Sequence, residues 1–169
     1  RDNMQNDYNG PRDADVRPSI ETITEMLADQ PVEIEVAARN ATAETVTQIA
    51  YQMSADAKRA AVVHLVKSRN LRQVIVFSNT KIGTARLARQ LELDGVRAES
   101  IHGDKTQADR MKALEAFKAG ELEVLVATDV AARGLDISQL EMVINVDVTP
   151  DSEVHIHRIG RTGRADEEG

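Results

Sequence analysis

Val124-Leu125-Val126-Ala127-Thr128-Asp129-Val130-Ala131-Ala132-Arg133-Gly134-Leu135-Asp136 opens on four apolar residues and then turns abruptly polar. A short apolar run with no polar alternation is the mark of a strand buried on both faces, as in a parallel sheet. The threonine, arginine and glycine that follow stand at its carboxyl end, where open α/β sheets collect ligands. The same pattern repeats outward along the chain. Val74 to Phe77 is a second apolar run, with a polar loop and a helix expected over 81–94. Residues 97–101 and 142–146 read as further strands, 106–119 as a helix ending at Gly120, and Gly95 as the left-handed stop of the helix before it. A helix over 56–68 is expected to turn Ala60, Val63, His64 and Val66 toward the core. Strands alternating with helices imply right-handed βαβ units, hence an α/β fold with a parallel sheet covered on both faces.

The chain's 169 residues suffice for one domain with a sizeable core. Apolar residues are 41% of it and aromatics only 2%, so the core must be built from Val, Ile, Leu, Ala and Met. Cysteine is absent, which excludes disulfides, thiolate metal sites and thiol nucleophiles. No apolar run reaches membrane-spanning length and no signal peptide is visible, so the default compartment is the cytoplasm. The net charge of −7 argues against nonspecific nucleic-acid binding, leaving a local patch to hold any such ligand.

One local patch is evident at His157-Arg158-Ile159-Gly160-Arg161-Thr162-Gly163-Arg164, where three arginines recur at every third residue among small ones. Arginine offers a permanent charge and a rigid fork of donors that matches phosphate oxygens. Glycine between them lets the backbone turn tightly and approach a ligand. The bland alternative is a solvated basic segment.

Together, Ala127 to Asp136 and His157 to Arg164 resemble motifs V and VI of the DEAD-box RNA helicases. Val74-Ile75-Val76-Phe77-Ser78-Asn79-Thr80 resembles motif IV, and Gln107-Ala108-Asp109-Arg110 resembles motif IVa. The likeness covers roughly residues 48–169 and identifies the stretch as the second, C-terminal RecA-like lobe of that family. Residues 1–17, polar and without apolar periodicity, read as a flexible leader. Residues 18–47 hold a helix (Ile20, Ile23, Met26, Leu27) and a strand (Val32 to Val36), which by resemblance end the preceding lobe, with 37–47 as the interlobe linker.

The resemblance implies a role for each site residue. Arg161 and Arg164 face the γ-phosphate of ATP as catalytic arginine fingers. Asp136 accepts from the ribose hydroxyls, with a helix cap before Ile137 as the alternative, and Gly134 belongs to the same nucleotide site. Thr80, Lys81, Gly103, Gln107, Arg110, Thr128 and Arg133 contact the RNA backbone, Arg133 linking that contact to the nucleotide. His157 and Arg158 belong to the interface between lobes; the alternatives are that His157 packs on the sheet and that Arg158 pairs with an acid of its own lobe. Such contacts read sugar and phosphate, not base sequence.

Departures from the family pattern lie at Thr149, where proline is usual, at His155, where tyrosine is usual, and at Asp166, where glycine is usual. No G-x-x-x-x-G-K-[ST] loop and no Asp-Glu-Ala-Asp segment occur. Magnesium is therefore expected on an N-terminal lobe, no metal on this one, and no catalysis by this stretch alone. The expected activity is RNA-dependent ATP hydrolysis by a two-lobed helicase. The alternatives are a lobe of a DNA helicase or translocase, or a noncatalytic RNA-binding or assembly module. Because the family continues past the position of Gly169 into another strand, an open sheet edge is expected, filled by Val32 to Val36 or by a dimer.

Overall fold

A computed structural model describes Val32–Glu33 and residues 46–162. In order along the chain these form β1 (Val32–Glu33), β2 (Ile49–Ala50), α1 (Ala55–Ser68), β3 (Val74–Phe77), α2 (Lys81–Leu93), β4 (Ala98–Ile101), α3 (Gln107–Lys118), β5 (Val124–Ala127), α4 (Asp129–Ala132), β6 (Met142–Asn145) and α5 (Ser152–Ile159).

Each of the four expected strands takes its place in one parallel sheet in the order β4-β5-β3-β6. The central pair, β3 and β5, is buried at every position. Alternation across the pleat divides their side chains between two cores. Ile75, Phe77, Ile101, Leu125 and Ala127 meet Ala113, Leu114 and Phe117 of α3 on one face. Val74, Val76, Ala98, Val124 and Val126 meet Val62 and Val66 of α1 and Ala88 and Leu91 of α2 on the other. The sheet is thus covered on both faces, as the unalternated runs imply.

The helices start where capping chemistry allows. Thr80 and Thr106 stand at the N-caps of α2 and α3, their hydroxyls accepting from Gly83 N at 3.0 Å and Asp109 N at 3.1 Å. Gly95, with φ +84°, follows α2 as expected. Three expectations need correction. Helix α1 does turn Val66 and, half-buried, Val63 to the core, but it also buries Ala57, Ala61 and Val62, while Ala60 and His64 are only half-buried. Val62 and Val66 are the residues of this helix that meet the sheet strands, with Val63 packed against the same core. Val32–Glu33 pairs antiparallel with Ile49–Ala50 in a separate two-stranded sheet and does not complete the edge of the main one. No helix follows Asp136, so it caps none. Two short helices, α4 and α5, were not expected. The helix expected near residues 20–27, the rest of the 32–36 strand, and Arg164 and Asp166 lie outside the described residues.

Strand register decides what the sheet's carboxyl edge presents. Phe77 is level with Ala127 and Asn145, and Ile101 is level with Ala127. The four segments that follow therefore leave at one height. From β3 the chain crosses by α2 to the edge strand β4, whereas from β5 it crosses on the opposite face to β6. Neighbouring strands whose connections depart on opposite faces leave a crevice between their ends. The crevice here lies between Ser78–Lys81 and Thr128–Arg133.

Candidate functional site

The floor of this crevice is a single buried guanidinium. Arg158, on α5, is 1% exposed. Its Nε and Nη2 donate to the two oxygens of Asp129 at 2.6 Å each. Nη2 also donates to Asn79 Oδ1 at 2.8 Å. Nη1 donates to the Asp147 carbonyl at 2.7 Å and to Asn145 Oδ1 at 3.4 Å. All five N–H donors of the fork are thus used within the lobe. The guanidinium carbon also lies 5.1 Å from the centre of the Phe77 ring. Of the two roles weighed for Arg158, pairing with an acid of its own lobe is the one this geometry has.

Above Arg158, a cleft of ≈ 140 Å³ is lined by Arg133, Gly134, His157 and Arg161, with Phe77, Asp129, Ala132 and Val154 behind them. Arg161 is held on its wall by main-chain carbonyls. Nη1 donates to Leu135 O at 2.9 Å and Ile137 O at 3.1 Å, and Nη2 to Ala132 O at 2.9 Å. Gly134 makes the turn these carbonyls require, with φ +75°. His157 and Arg133 are exposed. Asp136 projects outward, its side chain 85% exposed and 3.7 Å from Lys118 Nζ.

A second group of expected residues lies along the same edge toward β4. Thr128 caps α4, accepting from Ala131 N at 3.4 Å. Lys81 Nζ pairs with Asp104 Oδ1 at 2.9 Å, and that pairing holds the Asp104 carboxyl below the usual carboxylate range. A Cβ built on Gly103 would stand 3.7 Å from Lys81 Cδ, so these two residues adjoin. Gln107 and Arg110 lie in the first turn of α3, and Arg110 Nε is buried with no partner. An unpartnered buried donor is a costly arrangement.

Four polar residues of the site were not picked out in the sequence: Asn79, Asp129, Asn145 and Asp147. Each lies within or just after an apolar run, and that position is the signal that would have found them. Burial pushes the Asp147 carboxyl up. The Asn79 N–H, the Ser78 hydroxyl and the Lys58 charge push it down and prevail, leaving it below its ordinary value. Among the described residues no cluster of three or more His, Cys, Asp or Glu is arranged to hold a metal. Among them no helix is long and apolar enough to cross a membrane.

Residues 57–166 match the helicase conserved C-terminal domain. Over 150 residues the chain is 45% identical to the DEAD-box ATP-dependent RNA helicase CshA of Bacillus subtilis, covering 89% of this chain and 30% of that protein. The chain therefore spans about a third of the length of such relatives. Among solved structures it is similar to the E. coli DEAD-box protein SrmB, bound there to regulator of ribonuclease activity A. That likeness has 37% identity and a TM-score of 0.65, over 69% of this chain and 68% of that one. It is also similar to S. cerevisiae Dbp5 bound to RNA and ADP BeF3, with 31% identity and a TM-score of 0.61, over 69% of this chain and 31% of that one. The motifs, the doubly covered parallel sheet and these likenesses agree: the chain belongs to the DEAD-box helicase family, as its C-terminal RecA-like domain.

Proposed function

We propose that this domain forms one wall of an ATPase site and one stretch of an RNA-backbone track in a two-lobed, ATP-dependent RNA helicase. The observation that carries the reading is the common strand-end edge. It sets Thr80, Lys81, Gly103 and Thr128 beside a cleft walled by Arg133, His157 and Arg161. Hydroxyls, helix N-termini and cations at a sheet's carboxyl edge suit phosphates. Gln107 and Arg110 extend the track along α3.

Arg161 is the finger we assign to the γ-phosphate, with Arg164 as its companion. When ATP and an N-terminal lobe close on the cleft, phosphate oxygens replace the three carbonyls that hold Arg161. A phosphate oxygen is a charged acceptor and makes the stronger bond. The exchange neutralises charge on the transferring phosphoryl group, a contribution of about 10³–10⁵ in rate for such arginines. Gly134 and Asp136 then meet the ribose side of the nucleotide, and Arg133 joins the two sites. Magnesium and the attacking water belong to the other lobe, so this domain alone turns over no ATP. The likeness to a relative solved with RNA and ADP BeF3 supports both ligands.

The test is ATP turnover by the complete polypeptide with RNA, with matched DNA and with neither. RNA-stimulated turnover that Arg161→Ala reduces by about 10³-fold or more is expected. Turnover indifferent to Arg161→Ala would remove that residue from catalysis. Stimulation by DNA alone would assign the lobe to a DNA translocase.

A further inference from the structure

The turn that carries Thr80 and Lys81 is held from outside itself. Asp147, just beyond β6, lies 69 residues away from Ser78 in sequence, yet its Oδ2 accepts from Ser78 Oγ at 2.9 Å. The same oxygen accepts from Asn79 N, also at 2.9 Å. Asn79 returns the contact, donating from Nδ2 to Val148 O at 3.3 Å. Ser78 is 3% exposed, so its hydroxyl has little access to water. The other oxygen, Oδ1, faces Lys58 Nζ at 3.7 Å.

Strand pairing alone does not fix this turn. The ladder between β3 and β6 ends with Val146 N donating to Phe77 O at 3.2 Å. Beyond it, among the described residues, the Asp147 carboxylate and the Asn79 amide tie the two exits together directly, and Arg158 bridges Asn79 Oδ1 and the Asp147 carbonyl beneath them. Two donors on consecutive residues converging on one carboxylate oxygen set both the position and the direction of the chain entering α2. The next residue is Thr80.

From this geometry we infer that Asp147 is a positioning residue for RNA binding: it presents Thr80 and Lys81 to the RNA backbone without touching RNA itself. The inference rests on the proposed RNA track along this edge. Its sign separates it from simple electrostatics. Asp147 is an anion near a phosphate track, so as a surface charge it would weaken RNA binding, and its neutralisation would tighten it. As a clamp it strengthens binding, and its neutralisation loosens it.

The experiment measures binding of a fluorescein-labelled single-stranded oligouridylate to the complete polypeptide, with a nonhydrolysable ATP analogue present. Asp147→Asn is expected to raise the Kd for RNA about five- to tenfold, the size of one or two misplaced charge-assisted contacts. In steady-state ATPase assays it raises the KM for RNA similarly, while kcat at saturating RNA stays within about twofold. In a background of Thr80→Ala with Lys81→Ala, Asp147→Asn adds nothing, because it acts through those residues. Unchanged or tighter binding in Asp147→Asn, with the double variant still weakened, overturns the clamp and leaves the RNA track standing. Unchanged binding in the double variant overturns the track, and the clamp with it. Should Asp147→Asn fail to fold, Ser78→Ala decides: it removes one donor and no charge, and a Kd raised about twofold or more supports the clamp. An unchanged Kd in Ser78→Ala then overturns it.

Discussion

Arg158 shows how one residue serves a site it never exposes. Burying a guanidinium is costly unless every donor is met and a counter-charge is adjacent. Here Asp129 supplies the charge in a two-point match, and Asn79, Asn145 and the Asp147 carbonyl take the remaining donors. The residues that bind it sit at the ends of three different strands, so its loss frees all three at once. We expect Arg158→Met to lower the unfolding free energy of this chain by about 3–5 kcal/mol, since Asp129 is left without its partner. Urea unfolding measures this, and a loss under about 1 kcal/mol would show that the network is dispensable. The sequence pointed to Arg158 through its motif but left its partners open. A side chain of this length can reach outward or inward, and only the packing of α5 against the strand ends decides which.

At the scale of the element, the first turn of α2 is where helix geometry and site geometry meet. A Cβ on Gly83 would stand 2.8 Å from Thr80 Oγ1 and 2.9 Å from Ser78 Oγ, too close for either hydroxyl to keep its place. Helix propensity alone predicts that Gly83→Ala stabilises by about 1 kcal/mol. Displacing the Thr80 cap and the buried Ser78 hydroxyl costs more than this, so the expected net effect is a loss of about 1 kcal/mol. The sign of the change on thermal or urea unfolding settles which effect wins. A gain would mean that the turn relaxes freely. The boundaries of α1, α2 and α3 fall within a residue or so of those read from periodicity, because caps and glycines are local signals. Helices α4 and α5 escaped notice. They have 4 and 8 residues, too few to display a periodicity, and tertiary contacts hold them.

Across the whole molecule, α5 also reaches back to the start of the domain. His155 Nε2 lies 2.9 Å from Gln48 Oε1, 107 residues away and just before β2. Burial, and then the Arg158 charge, hold the His155 pKa below 6.5. The unfolded chain, with an ordinary histidine, therefore binds a proton more readily than the folded one. The sign follows: His155 costs no stability well above pH 6.5, and stability is lost as pH falls through that value toward the lower folded pKa. His155→Gln should flatten the dependence between about pH 7.5 and pH 5.5, measured as urea midpoints. An equally steep dependence in the variant would place the titration elsewhere. Tyrosine, usual here in the family the chain belongs to, would lack this dependence in that range.

By itself the sequence determined the class of fold and the edge of the sheet at which its polar motifs gather. Unalternated apolar runs can be satisfied only between two layers of helix, and polar residues directly after them can fall only at the strands' carboxyl ends. The runs also placed Thr80 and Gly134 at strand ends, while Arg161 was singled out by its arginine-glycine segment and the family resemblance. Tertiary structure alone decided the strand order β4-β5-β3-β6, and with it which loops adjoin. That order brings Asp147 to Ser78 and Asn79 across 69 and 68 residues. It likewise turned Arg158 inward and laid Arg161 against the carbonyls of residues 132–137. The division has a physical cause. Periodicity and capping are short-range and are written in neighbouring residues, whereas the partners of a buried charge are set by which strands lie side by side.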